Sequence, residues 1–566
     1  MTAGDRVTAA GGGPAPGEGQ PAAGGPRGGT ARQAGPNRVR QAAWLAGLAA
    51  AAVALFLCYL HQSRSVAIGS DGASNALQAW DMLHGNLLLH GWVLSDVSFY
   101  TTELPEYVIV EAVRGLAPDA VHVAGALTYT VLVLLAGLVA KGRATGWPGV
   151  IRFLIASGIM LAPEISFGTY TLLLSPDHVG TQVLLLLVWL VIDRAWGRWY
   201  VPAVAGLLLA WVQVADALAL YIGVVPIVVI CLLRAGRGLA GRDRAVRARL
   251  AGSRYDLVMA AAALASAGVS SLAVRLISNS GGYIVHPPST KLGGWGPVPA
   301  HFAVAGRSIL ELFGANLTTA PPGPGMFFAA VHLAGVILAA GALGLAIVHI
   351  FRAGEPLVPG LAVAILVNLG AFIASTQAID IPSSREIAGV LPFGAVLAGR
   401  LLTGPLARAR RPVRLALGPL GAACLICYAA ALGYGAAQAP VPAQNSDLVS
   451  FLAAHGLRSG LSGYWQANSE TLDTGGRIVI RSVTLNARDR VTKNNWETKT
   501  SWYDPRTTAA NFVVTVSRPA SQAWELAPFE ARDTFGVPAR TYQFGRYTVM
   551  VWNTNLLARL AASTGP

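Results

Sequence analysis

Three stretches of this 566-residue chain place ionisable side chains at the ends of long apolar segments. The first runs Ile68-Gly-Ser-Asp71-Gly and continues through Trp80-Asp81-Met-Leu-His84-Gly. The second is Leu-Leu-Leu-Ser-Pro-Asp177-His178, and the third is Ile-Asp380-Ile-Pro-Ser-Ser-Arg385-Glu386. Ionisable groups at that depth are costly unless they are paired or functional. A carboxylate there can take a proton from a hydroxyl within hydrogen-bond reach. A guanidinium is permanently charged and forked to match phosphate. Arg275 and His286, which flank a long loop, are further candidates for phosphate contact.

Each residue also has a plainer reading. Ser70 and Asp71 are good helix N-cap types, and Asp177-His178 can cap the segment that follows. Arg385 and Arg275 can be interfacial anchors that snorkel to headgroups. Asp81 and His84 fit a solvated helix face, and Asp216 fits a tight turn. Asn316-Leu-Thr matches a glycosylation sequon, a short match that is read as chance.

The elements that must position these residues are membrane helices. The chain is 53% hydrophobic and 12% charged with mean hydropathy +0.50, and apolar windows of membrane length recur from residue 43 to 437. Spans are expected at about 43–61, 119–140, 149–163, 179–194, 199–214, 217–234, 257–277, 326–350, 356–376, 387–403 and 414–437, about eleven in all. Residues 199–233 read equally as one long helix or two short ones. The Arg-rich stretch from Arg234 to Arg254 belongs on the cytoplasmic side, which requires two.

The same parity places Asp71, the loops 62–118 and 278–325, and the C-terminal region outside. The formal charge of +14 therefore reports topology rather than nucleic-acid binding. Only 4 of the 42 basic residues are Lys, which suggests a GC-rich bacterial genome. The four cysteines, Cys58, Cys231, Cys424 and Cys427, all lie in apolar segments, so no disulfide framework is expected.

Residues 1–40 read as a disordered cytoplasmic tail, 41–437 as the transmembrane domain, and 438–566 as a small extracytoplasmic α/β domain for binding or support. That domain is expected to have a helix at Ser446–Gly456 and strands at Ser462–Trp465, Arg477–Thr484, Asn511–Val516, Arg540–Phe544 and Tyr547–Trp552. In the first loop, apolar residues from Ala73 to Leu87 recur at helical spacing. They describe an amphipathic helix along the membrane surface with Asp81 and His84 on its polar face.

Gly-Ser-Asp71 before an Ala-rich helix, Ser-Pro-Asp177-His178 before a span, and Ser-Arg385 before a Pro-punctuated helix resemble the GT-C superfamily of membrane glycosyltransferases, which use polyprenyl-phosphate sugars. The resemblance implies Asp71 as catalytic base and Arg385 as the cation for the leaving phosphate; Arg275, from its place beside the long loop 278–325, is a second phosphate-binding candidate. Asp177, His178, Asp81 and His84 become candidates for binding acceptor or metal. A divalent metal, Mg or Mn, is allowed as cofactor, although Asp71 is followed by Gly where many members have a second acid.

The resulting expectation is an α-helical polytopic protein of the bacterial plasma membrane and cell envelope. It transfers a hexosyl group from a polyprenyl-phosphate donor to the hydroxyl of a glycan, lipid or protein acceptor, with inversion. The competing readings are a lipid or sugar-lipid transporter or flippase and a non-catalytic membrane scaffold. A transporter should show paired charges or broken helices near mid-membrane, whereas the acids here gather at segment ends.

Overall fold

The computed structural model describes residues 36–174, 178–240, 246–287, 290–352, 354–408, 411–517 and 524–560. The chain divides into two compact units, Met1–Ala51 and Ala52–Pro566. Helix α1 (Pro36–Ser63) begins in the first unit; the expected tail up to residue 35 lies outside the described residues.

In the second unit, α2 (Ser70–Leu83), α3 (Leu104–Arg114), α4 (Asp119–Lys141), α5 (Gly146–Ile159), α6 (Phe167–Thr169), α7 (Val179–Ala195) and α8 (Val201–Ala215) follow. Next come α9 (Val225–Ala240), α10 (Val246–Asn279), α11 (Val298–Leu312), α12 (Pro324–Ile350), α13 (Leu357–Ala374), α14 (Val390–Arg408) and α15 (Arg411–Ala436). Each expected apolar segment falls on a helix. Among the described residues, seven helical stretches are long and apolar enough to cross a membrane, or eight if Phe167–Leu174 and Val179–Ala195, set at 62° to each other, form one broken span.

The number eleven is not reached by that measure, because Gly146–Ile159, Val201–Ala215 and Val390–Gly404 are apolar but short. A 15-residue helix rises only about 22 Å against a hydrocarbon core of about 30 Å. Residues 199–233 do form two helical stretches, which meet at a turn over Asp216. One buried ion pair lies where α4 and α7 end. Arg400 reaches Asp193 at 2.6 Å and donates to the Val139 carbonyl, both side chains being buried.

The C-terminal region is built on a six-stranded mixed sheet, followed in chain order through α16 (Ser446–Ala454), β3 (Ser459–Ser462), α17 (Asn468–Asp473), β4 (Val479–Leu485), β5 (Val491–Lys493), β7 (Phe512–Val516), α18 (Pro528–Phe535), β8 (Arg540–Phe544) and β9 (Tyr547–Val551). The strand order is β5-β4-β3-β7-β9-β8, with β3 parallel to both of its neighbours. The expected strand at Ser462–Trp465 is shifted: β3 ends at Ser462, and Tyr464–Gln466 turns as a 3-10 helix. Gly463 enables that departure, since a side chain there would collide with the backbone of Trp524 and Glu525.

A second sheet ties three distant loops together. Its centre is β1 (Trp92–Leu94), flanked by β2 (Ile284–Val285) in parallel and β6 (Thr498–Lys499) antiparallel. Helix α2 packs against α3, α4 and α17, and it buries Ser74, Asn75 and Gln78 along with its alanines. It is therefore enclosed over most of its length and does not lie as an amphipathic surface helix, because the C-terminal region covers the polar face that the spacing left for solvent.

Candidate active site

Asp71 and Arg385, 314 positions apart in the chain, come together at one end of the helix bundle. Asp71 occupies the first turn of α2 and makes no capping bond there, and Ser70 Oγ donates to the Tyr464 carbonyl at 2.7 Å instead. Arg385 sits on a 3-10 turn, Pro382–Ile387, that leads into α14. The sequence folds this way because Pro382 presets φ for the first turn position. Asp380 Oδ1 then accepts from the Ser383 amide at 3.1 Å and its hydroxyl at 2.9 Å. Arg385 Nη1 lies 3.8 Å from Asp71 Oδ2, and the two side chains retain 39% and 20% exposure, so the pair is open to ligand.

Behind Arg385 runs a line of alternating charge. Its Nε is 3.6 Å from Glu386 Oε1, and Glu386 Oε2 is 3.5 Å from His178 Nε2. His178 Nδ1 is 2.7 Å from Asp216 Oδ2, which also accepts from Thr181 Oγ1 at 2.6 Å. Asp216 Oδ1 accepts from the Leu218 amide, so both oxygens of this buried carboxylate are engaged. Burial works against charge on His178, but Asp216 and Glu386 outweigh it and hold its pKa well above the ordinary histidine value. Burial likewise opposes charge on Asp216 and Glu386, yet His178 brings both below the usual carboxylate range. His178 is thus an imidazolium clasped between two carboxylates. Its backbone is left-handed (φ 59°), a conformation that surrounding structure must enforce. Asp96 faces the same line, and its pKa is raised by burial and then by Glu386.

The C-terminal region closes the other side of Asp71. The Tyr464 hydroxyl is 2.5 Å from Asp71 Oδ1 and 2.5 Å from Glu497 Oε2. Asn468 Nδ2 donates to Ser74 Oγ on α2 at 2.6 Å, which locks α17 against the helix bearing Asp71. Burial, then the nearby Asp71, push the Glu497 pKa up to about 8. Tyr464 packs edge-on against Trp465 and lies beside Trp524, and the aromatic line continues through Trp496 to His286.

The other candidates are placed elsewhere. Asp177 lies outside the described residues. Asp81 is ten residues along α2 from Asp71, about 15 Å at helical rise. Both its oxygens are 2.9 Å from Lys499 Nζ, and it accepts from Trp92 Nε1 at 2.7 Å and Asn86 Nδ2 at 2.6 Å. His84 is exposed at the C-cap of α2, with Nδ1 2.7 Å from the Trp80 carbonyl oxygen. Arg275 is exposed one turn before the end of α10. A cavity of about 330 Å³, lined by residues including Glu164, Phe328, His332 and Tyr434, is bordered by neither Asp71 nor Arg385.

Among the described residues, no group of three or more His, Cys, Asp or Glu side chains is arranged to hold a metal ion. At Asp71 the donor set does not suit one, since one oxygen is bound by Tyr464 and the other faces a guanidinium. Sequence reasoning did not select Tyr464 and Glu497. In the sequence Asp216 reads as a turn residue, and Glu386 appears only as the neighbour of Arg385. Asp216 and Glu386 both carry the available signal, an acid at the end of an apolar segment.

No protein-family model and no curated protein matches the chain. Solved structures do. ArnT from Cupriavidus metallidurans in its apo state matches at TM-score 0.50 and 14% identity, over 93% of this chain and 100% of that one. The same protein bound to undecaprenyl phosphate matches at 0.50 and 14%, over 93% and 99%. The archaeal oligosaccharyltransferase AglB from Archaeoglobus fulgidus, in complex with an inhibitory peptide and a dolichol-phosphate, gives 0.46 and 11%, over 84% and 70%. At such identities the likeness is one of fold, and the fold is GT-C-like.

Proposed function

We propose that this multi-pass membrane protein is a glycosyltransferase that moves a hexosyl group from a polyprenyl-phosphate donor to an acceptor hydroxyl. The observation that carries this reading is the meeting of Asp71 with Arg385 in a GT-C-like fold. The likeness to a protein solved with undecaprenyl phosphate supports the donor class.

In this mechanism Asp71 removes the acceptor proton as the acceptor oxygen bonds to the anomeric carbon. The bond from that carbon to the phosphate oxygen breaks with its electron pair leaving on phosphate. Inversion follows from a single displacement. Arg385 meets the charge that develops on the leaving phosphate, and a positioned cation at that point acts mainly on the transition state. His178, as an imidazolium, adds positive potential one step behind Arg385 and balances Glu386, which would otherwise blunt it. No step is routed through a metal. Arg275 is proposed as a second phosphate contact and Asp177 as an acceptor contact, while His178, buried between Asp216 and Glu386, supports the site from behind Arg385. Asp81 and His84 stay as acceptor candidates at the far end of α2.

The proposed location is the plasma membrane, with the N-terminus cytoplasmic and Asp71, Arg385 and the C-terminal region on the extracytoplasmic face. The test is transfer of radiolabelled sugar from a panel of synthetic polyprenyl-phosphate donors in membranes bearing wild type or Asp71→Asn at matched expression. Transfer by wild type with a loss of roughly 10²–10⁴-fold in the variant is expected. Equal transfer by both would remove Asp71 from the mechanism, and no transfer from any donor would favour a transporter or scaffold.

A further inference from the structure

The contact between Asp71, Tyr464 and Glu497 contains more acceptors than one hydroxyl can serve. A phenol has a single proton to donate. Yet the Tyr464 oxygen is 2.5 Å from a carboxylate oxygen on each side, Asp71 Oδ1 and Glu497 Oε2. Two ionised carboxylates flanking one phenol would leave one short oxygen–oxygen contact without a hydrogen, so a second proton must be present.

The surroundings decide where that proton sits. Asp71 is partly exposed and has the Arg385 guanidinium 3.8 Å from its other oxygen. Glu497 is 3% exposed, and its burial together with the like charge of Asp71 outweighs the neighbouring hydroxyls of Ser74 and Ser95, which act the other way, while Asn468 is bonded to the Glu497 backbone carbonyl. The nearby cation Lys499 is engaged by Asp81. Glu497 also adopts a left-handed backbone (φ 51°), which holds its side chain inward immediately before β6 pairs with β1.

We infer that Glu497 is held as a neutral carboxylic acid that donates to the Tyr464 hydroxyl, which in turn donates to Asp71 Oδ1, so that the C-terminal region supplies two positioning residues for the Asp71 carboxylate. The bond fixes Oδ1 and leaves Oδ2 directed to the side where Arg385 stands. This rests on the glycosyltransferase reading only for the role of Asp71 as base; the protonation pattern stands without it. The raised Glu497 pKa, near 8, agrees with it. Above that pH the acid ionises, the second proton is lost, and the chain of donation to Asp71 breaks. The charged groups facing the network are Asp71 and Arg385, with Glu386, His178 and Asp96 behind Arg385.

Infrared difference spectroscopy on the full chain in lipid nanodiscs tests this without any substrate. Wild type minus Glu497→Gln at pH 6.5 should show one carboxylic-acid carbonyl band. The band should disappear as pH rises through about 8. It should titrate at lower pH in Asp71→Asn, where the like charge is gone, and should move to higher frequency in Tyr464→Phe, where the acid loses its acceptor. Absence of the band at pH 6.5, or a band unmoved in Tyr464→Phe, overturns the inference.

Transfer assays supply the second arm. Glu497→Gln keeps a donor toward Tyr464 and should retain activity while losing the fall above pH 8. Glu497→Ala should lose up to roughly 10²-fold in kcat with donor KM unchanged, as expected for a misplaced reacting group. Equal kcat in Glu497→Ala and wild type would refute the positioning role. If wild type transfers no sugar, the functional reading fails, and the infrared result still decides the proton's place.

Discussion

Arg385 is the residue whose chemistry is hardest to replace. Its guanidinium lies 3.8 Å from Asp71 and 3.6 Å from Glu386, so it is oriented by two carboxylates while still presenting its edge outward. Arg385→Lys keeps the charge but not the planar fork, and Arg385→Ala removes both. For Arg385→Ala, kcat for transfer should fall by roughly 10²–10³-fold, with the Lys variant between it and wild type. A matched loss of kcat and kcat/KM would mark an interaction made in the transition state, whereas a rise in KM alone would reassign Arg385 to ground-state binding. His178 gives a second prediction. Its cation depends on Asp216 and Glu386, so Asp216→Asn should lower its pKa and let it lose charge within the neutral range. The alkaline limb of the pH–rate profile should then move to lower pH, and an unmoved limb would show that the imidazolium does not support turnover.

At the scale of elements, the site depends on backbones that approach too closely for side chains. Helix α4 passes over the turn Tyr170–Leu174, and a Cβ at Gly125 would collide with the Leu173 carbonyl oxygen. Gly125→Ala should therefore push that turn away from α4. It should cost about 1–3 kcal/mol, the usual range for overpacking. Gly418→Ala is the control, since a Cβ there meets nothing within 4 Å. Thermal melting in detergent should separate the two; equal melting temperatures would show that the turn yields freely. The three-stranded sheet works at the same scale. Trp92 opposes Lys499 across β1 and β6, and Lys499 then closes on Asp81, so the strand that follows Glu497 is fastened by an ion pair.

At the scale of the whole molecule, five carboxylates outside the spans are shifted upward, whereas Asp216 and Glu386, paired with His178, shift downward. Burial first of all raises Glu103 to about 7, Glu106 to about 8, Glu111 to about 9, Glu470 to about 7 and Glu497 to about 8. Below about pH 4.5 both folded and unfolded chains hold these protons. Between there and the folded-state values only the folded chain does, so each such group lowers stability by up to about 1.4 kcal/mol per pH unit. His178 acts in the same sense, because its stabilising charge is lost as pH rises through its elevated pKa. The melting temperature should therefore fall from pH 5 to pH 9, and Glu497→Gln should flatten part of that slope. A melting temperature that rises over this range would contradict the assigned burial.

The same scale separates what was legible in the chain from what was not. Apolar length and loop charge are local quantities, so the helical segments, the paired helices over 199–233 and the strands at Arg540–Phe544 and Tyr547–Val551 could be read directly. Asp71 and Arg385 could be singled out because an ion beside an apolar segment is costly wherever the rest of the chain lies. Their meeting could not be read, since it depends on how α2 and α14 pack. Tyr464 and Glu497 carried no local signal. One sat in an apparent strand that Gly463 turns aside, and the other in a polar run. A carboxyl becomes an acid held neutral only when folding removes its water and brings another carboxylate to the same phenol, and that environment is created by tertiary structure alone.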